Sequence, residues 1–124
     1  MNPEYPKTVF HTPCENLPAD FYIITAHNPD GQTMDPSDND KRDEELSQDL
    51  AQLVSSKFRI TGMSRDRYHS EPGWGIGCSR DTAIDMGKKY QQEAIFRISE
   101  GQLFLIDCSH ETETNCGQFA LVSD

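Results

Sequence analysis

The chain has 124 residues, with 11 basic against 21 acidic side chains, a formal charge of -10 and an apolar fraction of 35%. That length suits one domain spanning residues 1–124 with a core of its own. The acidic balance repels phosphate backbones and anionic membranes and so excludes a non-specific nucleic-acid binder.

The lead-in, residues 1–18, carries Pro3, Pro6, Pro13, Glu4 and Glu15 and reads as irregular, without an apolar signal-peptide centre. No later apolar run approaches the ~20 residues of a membrane-crossing helix, so no membrane contact and a cytoplasmic location are the expectation. Phe21 to Ala26 is a short run of aromatic and β-branched residues, a buried strand that ends in the turn chemistry of His27-Asn28-Pro29-Asp30-Gly31. Ser37 with Asp40 suggests a capping box. Leu46, Leu50, Leu53 and Val54 then recur at helical spacing, predicting a helix to about Ser56 with Lys57 at its C-terminal end. Phe58 to Gly62 alternates like a strand, Met63 to Ser70 reads as charged loop, and Pro72 to Cys78 as a strand thinned by glycine where something approaches closely. Ser79 caps a second helix, in which Gly87 suggests close packing at a cost of about 1 kcal/mol relative to alanine. Ala94–Ile98 and Leu103–Asp107 form a hairpin around Ser99-Glu100-Gly101-Gln102. Residues 109–124 are a polar tail in which Phe119 to Val122 either adds a last short edge strand or packs loosely. The order strand-helix-strand-strand-helix-strand-strand predicts an α+β fold. Its sheet, mixed or mostly antiparallel with four to five strands, carries two helices on one face as a relative of the split βαβ arrangement.

Three polar clusters lie at element ends, where sites usually form. They are His27, Asn28 and Gln32 after the first strand, Asn39 and Arg42 at the first helix start, and His69, Glu71 and Trp74 before the glycine-thinned strand. Gln92, after the second helix, joins them if that end of the sheet faces the same way. Each has a plain structural reading: Asn28 closes a turn, Asn39 caps a helix, Arg42 pairs with Glu45 or Glu71, Trp74 is core. Taken together, the amides and guanidinium with a helix N-terminus suit a small polar or anionic, nucleotide-like ligand, with Trp74 as a wall. Glu71 and His69, two apart on an extended segment, are the candidate acid–base pair of a hydrolase or transferase.

No cofactor is expected, since there is no phosphate-binding Gly-x-x-x-x-Gly-Lys loop, Gly-x-Ser-x-Gly elbow or His-Glu-x-x-His pair. His11, Cys14, Cys108, His110 and Cys116 can be written as a zinc constellation, yet no Cys-x-x-Cys knuckle is present. Unrelated reduced cysteines and no metal are the expectation. Cys78, just before a helix start, is a weaker candidate nucleophile. The charge of -10, dense over Asp35 to Asp49 and Asp107 to Glu113, supports a different reading: an acidic interaction or inhibitor protein with a basic partner.

Four segments carry a resemblance. Ile24-Thr25-Ala26-His27-Asn28-Pro29, Asn39-Asp40-Lys41-Arg42-Asp43, His69-Ser70-Glu71-Pro72-Gly73-Trp74 and Tyr90-Gln91-Gln92-Glu93-Ala94-Ile95-Phe96 are similar to a bacterial domain-of-unknown-function family, number 3293. The similarity spans about Phe21 to Asp107, with Asp38 standing where the family pattern suggests Glu. It implies a bacterial or phage origin and a shared site at these polar residues; it supplies no reaction.

Overall fold

The computed structural model describes residues 1–122. Among them are seven strands: β1 (Val9–His11), β2 (Asp20–Ile24), β3 (Ser56–Met63), β4 (Ser70–Gly77), β5 (Ala94–Ser99), β6 (Gln102–Asp107) and β7 (Glu113–Gln118). Two α-helices are present, α1 (Pro36–Leu53) and α2 (Arg80–Lys89). The strands form one sheet in the order β1-β3-β4-β2-β5-β6-β7, every pairing antiparallel, curled into a half-barrel.

The four to five strands expected from the sequence are therefore corrected to seven. The lead-in supplies β1, where Phe10 is fully buried among aromatic rings and β1 pairs with the far end of β3. The polar tail supplies β7, a strand with no apolar stripe, held by its ladder to β6 and by Glu113 bonding Arg97. The last two residues of that tail, 123–124, lie outside the described residues. The segment after β7 returns to β1: Phe10 N–H donates to the Ala120 carbonyl at 2.9 Å and Val122 N–H to the Phe10 carbonyl at 2.8 Å.

Within the sheet, β2 lies between β4 and β5. Each of β2-α1-β3 and β4-α2-β5 thus joins two parallel strands across one intervening antiparallel strand, giving two interleaved split βαβ units. The two faces of the sheet bury different cores. Period-two alternation sends Ile24, Trp74, Ile76, Ile95 and Ile106 toward the helices, where Leu46, Leu50, Ala83, Ile84 and Met86 cover them. Phe21, Ile23, Phe58, Ile60, Phe96, Ile98 and Leu103 face the concave side, which Phe10 and Phe119 fill.

Local chemistry sets the boundaries. Pro36 occupies the first turn of α1 behind Asp35, and no side chain caps that end, so Ser37 lies inside the helix rather than at its cap. The helix ends at Leu53, because Ser56 already pairs with Gly77. Lys57 is in β3, and its ammonium donates to the Ser47 carbonyl at 3.0 Å. Ser79 caps α2, its Oγ accepting the Thr82 N–H at 3.2 Å. Glu100 and Gly101, both at positive φ, make the two-residue turn between β5 and β6. On β4, a Cβ at Gly75 would lie 2.2 Å from the Phe58 ring, so glycine there admits the ring.

Candidate functional site

The strand order decides which loop ends meet. With β4, β2 and β5 adjacent, the end of β2, the start of β4 and the α2–β5 link all fall at one end of the sheet, where α1 also begins. Asn28, Asn39, Glu71 and Gln92 arrive there from four separate elements.

Asn28 sits at φ 50°, ψ 64°, the left-handed region that asparagine tolerates better than most residues. This conformation aims its backbone N–H at Asn39, in the first turn of α1, whose Oδ1 accepts it at 2.9 Å. Asn39 is buried, at 7% exposure. Its Nδ2 donates to Asn28 Oδ1 at 3.0 Å, and that same oxygen accepts the Met34 N–H at 3.1 Å. Two backbone donors thereby fix the orientation of both amides: Asn39 must turn its oxygen, and then Asn28 its oxygen, toward them. What remains is Asn28 Nδ2, which donates to Glu71 Oε1 at 3.3 Å.

Glu71 is half-buried, and burial raises its carboxyl above the ordinary range against the opposing pull of the Asn28 bond and, more weakly, of His69. Its second oxygen has no hydrogen-bond partner among the described residues. It borders a cleft of about 50 Å³ at the open end of the half-barrel, lined by Tyr5, Thr25, Glu71, Gln92, Ala94 and Phe96. Phe96 and Ala94 supply an apolar wall. Gln92 donates its amide nitrogen to the carbonyls of His27, at 3.0 Å, and Tyr90, at 3.1 Å, which leaves its oxygen as an acceptor. None of the lining residues is basic.

The other sequence candidates take different places. Arg42 crosses between elements: its Nε donates to the Ala26 carbonyl at 2.7 Å and its Nη2 to the Tyr90 carbonyl, with the guanidinium over the Tyr90 ring at 5.8 Å. It ties α1 to the ends of β2 and α2, and no ion pair joins it to Glu45 or Glu71. His27 is half-buried, and burial holds its imidazole below the usual range, opposed by Asp43 and Asp40. Gln32 is exposed after a 3-10 turn. His69 is exposed in the turn before β4 and makes no hydrogen bond to Glu71. Trp74, three residues along β4 from Glu71, points to the opposite face, where Arg59 stacks on its ring at 4.0 Å and is held by Asp43 at 2.8 Å. Its indole Nε1 is buried without a hydrogen-bond partner among the described residues.

The cysteines lie apart: Cys108 belongs to the helix-side core and Cys116 packs against the concave one. No group of three or more His, Cys, Asp or Glu side chains arranged to hold a metal occurs among the described residues. Burial pushes the Cys78 thiol up, with the Ala83 N–H only partly offsetting it. The Cys108 thiol is pushed up to about 11, burial again leading.

Sequence reasoning missed Tyr5, Thr25, Ala94 and Phe96 as lining. Alternation along β2 and β5 places Thr25, Ala94 and Phe96 on the Glu71 face and was available as a signal. Tyr5 lies in a proline-rich lead-in with no such pattern.

The pattern of a family described as "Protein of unknown function (DUF3293)" matches residues 24–95. The chain belongs to this family. No curated protein and no solved structure matches the chain. The span matched by DUF3293 runs from the end of β2 to the start of β5, enclosing Asn28, Asn39, Glu71 and Gln92 and leaving Tyr5, β1, β6 and β7 outside. No helix among the described residues is long and apolar enough to cross a membrane.

Proposed function

We propose that this DUF3293 protein binds a small polar molecule, or the tip of a larger one, that presents a hydrogen-bond donor such as a primary ammonium. The observation that carries this reading is the Asn39–Asn28–Glu71 relay, which holds a half-buried carboxyl at the cleft with one oxygen unengaged. Glu71 and Gln92 both offer acceptors, and acceptors select donors. The lining narrows the ligand: among the described residues that line the cleft none is basic to meet a phosphate, and about 50 Å³ is far below the several hundred cubic ångströms of a nucleotide-sized pocket. Binding is favoured over turnover, because the exposed His69 makes no bond to Glu71.

Titration of the protein with n-propylammonium, n-propanol, acetate and inorganic phosphate, followed by NMR shifts of Asn28 and Gln92 side-chain amides, tests this directly. Propylammonium should move both signals, and Glu71→Gln should weaken it at least about tenfold, since a charge-assisted bond becomes a neutral one. Phosphate binding in preference, or an indifferent Glu71→Gln, would replace the reading with another.

A second reading rests on α1, where Asp38, Asp40, Glu44 and Glu45 are exposed and carry no ion pair among the described residues. A basic protein partner would dock there, and its affinity should fall steeply with salt.

A further inference from the structure

Five of the six residues around the cleft come from the sheet or its immediate entries; the sixth, Tyr5, comes from a short 3-10 turn, Tyr5–Lys7. Its hydrogen bonds are almost wholly its own: Tyr5 N–H to the Asn2 carbonyl, Lys7 N–H to Glu4, and Thr8 N–H and hydroxyl to Tyr5. No residue of the turn is fully buried, Tyr5 being half-buried and its neighbours Pro6 and Lys7 exposed. Ahead of β1, the bond that reaches from this segment to the body of the fold is Arg65 Nε to the Lys7 carbonyl, at 3.2 Å and exposed. The Tyr5 hydroxyl has no hydrogen-bond partner among the described residues. The phenol therefore borders the cleft without a hydrogen bond to hold it there, and a segment with so few anchors opens at low cost.

We infer that Tyr5 is a displaceable cap over the Glu71 cleft, so that the chain's own N-terminal turn competes with the ligand for the site. This rests on the donor-binding reading above for what enters, but not for the cover itself. In support, burial leads the upward shift of the Tyr5 hydroxyl, with Glu93 and Glu71 adding to it. The groups facing Glu71 are Asn28, His69 and Tyr5.

Two measurements on wild type, Tyr5→Phe and Tyr5→Ala separate the parts. The first needs no ligand: the Glu71 carboxyl is titrated by carbon NMR. A cap predicts that Tyr5→Ala lets water in and lowers the midpoint toward the ordinary range, while Tyr5→Phe leaves it in place. A midpoint unmoved in Tyr5→Ala overturns the cap. The second is titration with n-propylammonium. Apparent affinity is reduced by the fraction of open protein, so removing a cap that is open a tenth of the time tightens binding about tenfold. Equal or weaker binding by Tyr5→Ala overturns displaceability and makes Tyr5 a wall of the site. A lowered midpoint with no propylammonium binding by any of the three proteins retains the cover and removes the donor-ligand reading instead.

Discussion

Asn39 and Asn28 are joined twice, once from side chain to backbone and once from amide to amide, at 2.9 and 3.0 Å. The pair couples the first turn of α1 to the left-handed residue that ends the β2 loop. Asn39→Ala removes both bonds from a buried position and should destabilise the fold by about 2–3 kcal/mol in urea titration. Asn39→Asp keeps the acceptor for the Asn28 N–H but cannot donate to Asn28 Oδ1. It should therefore release the Asn28 amide and shift the Glu71 carboxyl, a readout that a simple loss of packing would not give.

Glu71 gives the stability a pH dependence of definite sign. Its folded-state pKa is raised, so the folded protein favours the protonated form more than the unfolded chain does. That contribution is fully present below the unfolded carboxyl pKa of about 4.3 and is lost as pH rises through the folded value. Glu71→Gln should abolish this component, so the variant gains stability relative to wild type on going from pH 4 to pH 7. A wild type and variant with parallel melting curves across that range would show that Glu71 titrates normally.

Arg42 is expected to matter for folding more than for binding. Arg42→Ala strands the Ala26 carbonyl and leaves the Tyr90 carbonyl to the Gln92 amide alone, at the junction of three elements, and should cost about 2 kcal/mol. Arg42→Lys, with one donor head in place of a planar fork, should recover less than half of the loss. Chemical denaturation of the three proteins checks both.

Gly87 presses α2 onto the sheet: a Cβ there would lie 2.8 Å from Cys108 Sγ and 2.9 Å from Ile95 Cγ2. Gly87→Ala gains about 1 kcal/mol of helix propensity but overpacks at a cost of about 1–3 kcal/mol, so it should be neutral to destabilising. Cys108→Ala removes one of the two obstacles. The double variant should then be more stable than the sum of the single effects allows.

The contrast between what was legible and what was not follows from the kind of force involved. The helices and the β5–β6 hairpin are written locally, in the Leu46–Leu50 spacing, the Ser79 cap and Glu100-Gly101. By contrast, β1 and β7 owe their existence to partners far away in sequence. Nothing in Glu113-Thr114-Asn115-Cys116-Gly117-Gln118 alternates, and only the edge of β6 makes it a strand. At the site, the amides of Asn28, Asn39 and Gln92 stood out because amide-rich loop ends are uncommon. Their grouping with Trp74 did not survive strand parity, since three residues along β4 change the face. Arg42 was visible as a residue, but its use on two backbone carbonyls depends on the tertiary junction and on no local pattern.

The return of residues 119–122 to β1 sets an order of events for the growing chain. Phe10 has both its backbone groups bonded to residues more than a hundred positions later, and its ring packs against Phe119. During synthesis, Phe10, Phe21 and the concave wall must wait with their rings uncovered until that late segment emerges. The half-barrel is thus the face most exposed to chaperones and to mispairing with other nascent chains. The helix-covered face, whose core residues are all made by Cys108, can settle first.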